Sequence, residues 1–205
     1  ITDYGDMVRA YDLRGLTEEA IISLRTVSGV GRRMVLAIPD GVLSSPEFKR
    51  LIEKEVELGH GVVRLAPRSG LAFPWVETEV SGHEQVDAAV KQLRDGLSAK
   101  PVSFINRYNG IDLPEDACRV LVVHDLPSSC DDVDALMSRY LSGSRIASQR
   151  VAQRIEQGVG RGVRGASDHC VVLLVGFPLQ DWMKNKRNRE HFSPSFCKQL
   201  EIGET

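Results

Sequence analysis

No apolar run in this chain approaches the ~20 residues that a membrane span needs, so neither a membrane-embedded segment nor a membrane partner is expected. Cysteine is scarce. Cys118, Cys130, Cys170 and Cys197 show no C-x-x-C spacing and no histidine at zinc-finger distance, which leaves buried free thiols in a reducing cytoplasm as the expectation and no metal site. No G-x-x-x-x-G-K-[ST] occurs, so no loop of that kind cradles β and γ phosphates, and no D-E-x-[HD] run is present to hold magnesium. The five histidines lack H-x-x-x-H or triad spacing and read as structural. A net charge of -2 argues against a uniformly basic nucleic-acid binder. Near Ile1 no charged segment precedes an apolar one, so no secretory leader is expected, and the chain reads as a piece of a longer protein.

What is present is the alternation of an α/β domain. The 205 residues suffice for one such domain, and 42% hydrophobic with 26% charged is an ordinary globular balance. Apolar runs at Met34–Ile38, Gly61–Ala66, Val102–Ile105, Val120–His124 and Cys170–Val175 predict buried strands. Between them, Ser45 caps a helix with Pro46 at its first position and Phe48, Leu51, Ile52 and Val56 on one face, and Val86, Ala89, Val90, Leu93 and Leu97 recur at helical spacing. Strands that are apolar throughout and separated by helices predict a mostly parallel sheet covered on both faces. Pro67 to Ser81 lacks periodicity and reads as an irregular loop; Thr17 to Leu24 reads as a short capped helix, and Asp131 to Asp134 as a helix start. Ligands of such sheets gather at the carboxyl ends of strands, where Asp40, Arg107 and Asp125 fall.

Two segments carry chemistry. Gln157-Gly158-Val159-Gly160-Arg161-Gly162-Val163-Arg164 has the spacing Q-x-x-G-R-x-x-R, which places two guanidinium groups three residues apart. Guanidinium forks match phosphate oxygens and can stabilise charge that develops in phosphoryl transfer. Upstream, Arg150 and Arg154 continue the series at helical spacing, so that Arg150, Arg154, Gln157, Arg161 and Arg164 would share a face opposite Ala147, Val151 and Ile155. Glycines 158, 160 and 162 suggest close approach of the backbone to a partner or ligand. Gly160 to Gly165 also fits G-x-G-x-x-G, but a dinucleotide fingerprint needs a strand before it and a helix after it, and the pattern here is the reverse. The second segment is Asn106-Arg107-Tyr108-Asn109-Gly110-Ile111-Asp112-Leu113-Pro114, followed by the apolar run from Val120 and by Asp125-Leu126-Pro127.

In this order the two segments resemble motifs V and VI of superfamily 2 helicases of the DEAD/DEAH type, in the second, C-terminal RecA-like domain. Phe192 to Glu201, with its S-P-x-x-x-x-Q pattern, is similar to the end of that domain in some relatives. The resemblance implies a RecA-like three-layer fold over residues 34–202, with 1–33 left as an unassigned linker or short helix. It implies ATP and Mg2+ as cofactors, bound mainly by an N-terminal RecA-like domain of the same protein, and DNA or RNA as the track. Arg161 and Arg164 would be the catalytic arginines, and Gly110, Asp112, Gln157 and Gly160 would touch nucleotide. Asp40, Arg68, Ser81, Asn106, Arg107 and Tyr108 would meet nucleic acid. Alone, such a chain is expected to be inactive. The alternative is a noncatalytic module that keeps a helicase fold and docks nucleic acid or protein.

Overall fold

The computed structural model describes residues 31–204 apart from 76, 109, 128–134, 137–138 and 164–166. The segments around Thr17 and Asp131, Cys130 and Arg164 therefore lie outside the described residues. Six parallel strands form one sheet: β1 (Arg32–Ala37), β2 (Val62–Ala66), β3 (Thr78–Val80), β4 (Val102–Ile105), β5 (Val120–His124) and β6 (His169–Val175), in the order β1-β6-β5-β2-β4-β3. The helices are α1 (Asp40–Leu43), α2 (Pro46–Glu57), α3 (His83–Arg94), α4 (Arg145–Val159), α5 (Phe177–Lys184), α6 (Lys186–Arg189) and α7 (Pro194–Gly203).

Strand residues alternate between two cores, one on each side of the sheet. Val63, Leu65, Phe104, Leu121, Val123, Val172 and Leu174 face α3, α4, α5 and α7 through Leu93, Ile155, Leu179 and Phe196. Val62, Val120, Val122, Leu173 and Val175 face α1 and α2 through Leu43 and Ile52, together with Trp75. The chain is thus an α/β domain of three layers, with a sheet parallel throughout among the described strands. No helix among the described residues is long and apolar enough to cross a membrane. Cys118 and Cys170 are buried free thiols and Cys197 is a partly buried one.

Local signals act as expected at Ser45, whose side chain accepts from the Phe48 amide with Pro46 at the first helical position; Ser193, ahead of Pro194, caps α7 in the same way, a start not expected from the sequence. Four expectations are corrected. Part of the Pro67–Ser81 loop is β3, an edge strand with one buried residue, Val80; three residues carry no periodicity, and only pairing with β4 makes them a strand. α3 stops at Arg94, because Gly96 takes φ +65 and turns the chain, leaving Leu97 exposed. Leu51 is half exposed, off the buried stripe of α2. α4 ends at Val159 and buries Ala152, Ile155, Gly158 and Val159, so Arg161 stands on a 3-10 turn (Gly160–Gly162) rather than on the helical face of Arg150 and Arg154.

Candidate nucleotide and nucleic-acid site

β4 delivers the N-R-Y-N-G-I-D segment at its carboxyl end. Asn106 leaves the strand in the left-handed region, φ +53, while its amide still donates to the Ala66 carbonyl at 2.7 Å, and Gly110 at φ +80 turns the chain back toward β5. Ile111 and Leu113 then insert into the core, 2% and 0% exposed, which leaves Asp112 between them facing outward. Arg94 at the end of α3 holds Asp112, donating from Nη2 to the carboxylate at 3.0 Å and to the carbonyl at 3.1 Å. A depression of about 480 Å³ lies here, apolar at Val86, Val90 and Ile111 and rimmed by Lys91, Arg94, Gly110 and Asp112.

The Q-x-x-G-R segment reaches the same loop from the other side. Arg161 donates from Nε to the Tyr108 carbonyl at 3.1 Å and from Nη1 to the Ile111 carbonyl at 3.3 Å, so two motifs some fifty residues apart are joined through one guanidinium. A Cβ on Gly158 would sit 3.1 Å from both Leu65 and Tyr108, and one on Gly162 would sit 2.7 Å from the Cys170 sulfur. For these two positions the close approach read from the sequence is to the protein's own sheet and loop, not to a ligand. Around Gly160 the space is open, and Gln157 is exposed. Gly110, Asp112, Gly160 and Arg161 thus lie along one side of the sheet, where α3 and α4 flank the loop.

The candidates for nucleic acid divide. Arg68, Ser81, Asn106 and Arg107 follow the carboxyl ends of β2, β3 and β4, three neighbouring strands, and Arg107 Nη2 donates to the Ser81 carbonyl at 3.1 Å. Asp40 follows β1, separated from that group by β6 and β5. The ring of Tyr108 is 1% exposed and packs into the core, so its side chain is a packing element and its carbonyl serves Arg161.

The sequence held no expectation for the polar cluster on the other face. Arg64, in the middle of β2, is 1% exposed. Its Nε donates to Ser103 Oγ on β4 at 3.0 Å, Nη1 to His124 Nδ1 on β5 at 2.9 Å and to the Leu71 carbonyl at 3.4 Å, and Nη2 to Glu77 and to Glu79 at 3.3 Å; the guanidinium lies 4.5 Å over Phe73. Strand register explains part of this, since Arg64 pairs directly with Ser103 and with Val122, one step of the pleat from His124. Burial pushes the Glu77 carboxyl up to about 7 against the pull of Arg64. Burial and the Arg64 charge push His124 down, which matches an imidazole whose Nδ1 accepts from a guanidinium. The signal available in the sequence was three polar residues inside apolar strands, in V-V-R-L-A, V-S-F-I and V-L-V-V-H.

No protein-family model and no curated protein sequence matches this chain. Solved structures similar to it include an XPD in apo form, at a TM-score of 0.45 and 16% identity over 79% of this chain and 39% of that one. A second is an XPD helicase, at 0.42 and 18% over 79% and 34%. The chain spans less than two fifths of either structure. Likeness of this degree assigns no residue a role.

Proposed function

We propose that this chain is the second RecA-like domain of a superfamily 2 ATP-dependent helicase or translocase, completing an ATP cleft with an N-terminal RecA-like domain and offering part of a track to DNA or RNA. The observation that carries the reading is the joint made by Arg161, which links the Q-x-x-G-R-x-x-R segment to the loop bearing Asn106, Arg107 and Asp112. A phosphate-reading segment and a strand-end loop coupled in this way are the two parts that such a motor must move together.

The residues present suit the sugar and phosphate side of a nucleotide: an outward carboxylate at Asp112, open backbone at Gly160 and guanidinium groups following it. They do not suit its magnesium, since no group of three or more His, Cys, Asp or Glu residues placed to hold a metal occurs among the described residues. ATP and Mg2+ would be held mainly by the other domain; the two domains would close around bound ATP and reopen after its hydrolysis. This chain's part is electrostatic, with Arg164 donating to phosphate oxygens and Arg161 holding the loop in place. A noncatalytic binding module is the second reading, favoured by the engagement of Arg161 with backbone carbonyls.

One experiment separates them. In the protein that carries both domains, Arg164→Ala is expected to lower ATP turnover by about 10³-fold or more with little change in melting temperature. Turnover within a few-fold of the parent, or a domain that unfolds, would remove Arg164 from the catalytic role. The isolated chain is expected to hydrolyse no ATP above background, with or without nucleic acid.

A further inference from the structure

A parallel sheet covered on both faces is ordinarily apolar throughout, and an arginine buried at its centre is costly unless its charge and donors are fully met. Arg64 is met, and most of its partners come from one place. Ser103 and His124 belong to the sheet, whereas Leu71, Phe73, Glu77 and Glu79 belong to the segment that leaves β2 and returns as β3. Glu79 also accepts from the Gly70 amide at 3.3 Å, and Trp75, 6% exposed, packs edge-on against Phe73 at 4.4 Å. The exposed tip of this segment is Arg68, Ser69 and Gly70, at the same strand ends as Ser81 and Arg107.

We infer that Arg64 is a positioning residue for a nucleic-acid phosphate contact made by Arg68, given that this edge is the track proposed above. Its contribution has two parts. Mechanically, its five donors in a rigid fork fix a carbonyl, a ring and two carboxylates of one segment at once, which a flexible ammonium could not do. Electrostatically, it offsets the Glu79 carboxylate, which would otherwise set a negative charge beside the edge where Arg68 and Arg107 are to meet phosphates. An apolar side chain of similar length would satisfy the packing of β2 and supply neither.

The test uses this chain and a fluorescent oligo-dT probe at low salt, with amide exchange read at Gly70 to Phe73. Arg64→Met and Arg68→Ala are each expected to weaken binding several-fold and to reduce the salt slope by about 0.7, one phosphate contact on a single strand. The double variant is expected to bind no more weakly than the weaker single one, because both remove the same contact. Arg64→Met, and to a lesser degree Glu77→Gln, is expected to speed exchange at Gly70. Glu77→Gln leaves the sheet untouched, so it carries the test if Arg64→Met fails to fold. Exchange unchanged in both variants overturns the positioning role. Additive losses in the double variant overturn the shared contact. Parent binding undiminished by either substitution overturns the part played by this loop while leaving the track standing, whereas no binding by the parent overturns the track itself.

Discussion

Replacing Arg161 by alanine removes both hydrogen bonds that tie the end of α4 to the loop between β4 and β5. Each runs from a charged donor to a neutral carbonyl, at 3.1 Å and 3.3 Å. Buried bonds of this kind contribute about 1.5–3 kcal/mol apiece, but Arg161 is half-buried and the freed carbonyls can partly turn to water, so a combined loss of about 1–2 kcal/mol is expected. For a domain of this size that lowers the melting temperature by roughly 3–6 °C. Arg161→Lys, a point charge able to reach one carbonyl, should recover about half of the loss. Thermal unfolding followed by far-UV circular dichroism at constant pH and salt checks both numbers. A melting temperature of Arg161→Ala within about 1 °C of the parent would refute the strut, because a residue acting only on a transition-state phosphate has no reason to alter stability.

The Arg64 cluster predicts two opposed pH dependences. Glu77 has its carboxyl raised from 4.5 to about 7, so its contribution is fully present below the ordinary carboxylate range and is lost as pH rises through about 7; Glu77→Gln should flatten that decline in urea-midpoint measurements. His124 is held below its ordinary 6.5, so its contribution is present above that value and is lost on acidification, and His124→Gln should remove the acid-side loss. Gly162→Ala places a methyl 2.7 Å from the Cys170 sulfur and 3.6 Å from that of Cys118, in a buried corner, and should cost about 1–3 kcal/mol, whereas Gly160→Ala meets open space and should change the melting temperature little.

Local physics made much of the domain legible. Apolar runs long enough to be buried on both faces announced five of the six strands, and Ser45 announced the start of its helix, because burial pattern and capping depend on residues within a turn or two of one another. Pairings across the sheet were not legible, since which strands become neighbours depends on burial summed over the whole chain. β3 exists only because Val102–Phe104 offers it an edge. Arg64 reads in sequence as one polar residue in an apolar strand, and becomes a hub only when β4, β5 and the return from β2 bring Ser103, His124 and Glu77 to it. Arg161 looked like a group reaching for a ligand and is tied to its own backbone, while Asp40 and Arg107, alike in following a strand, stand apart because strand order separates them. A charged side chain takes the partners that long-range packing places within 3 Å or so, and those partners are chosen by the fold rather than by the neighbours in sequence.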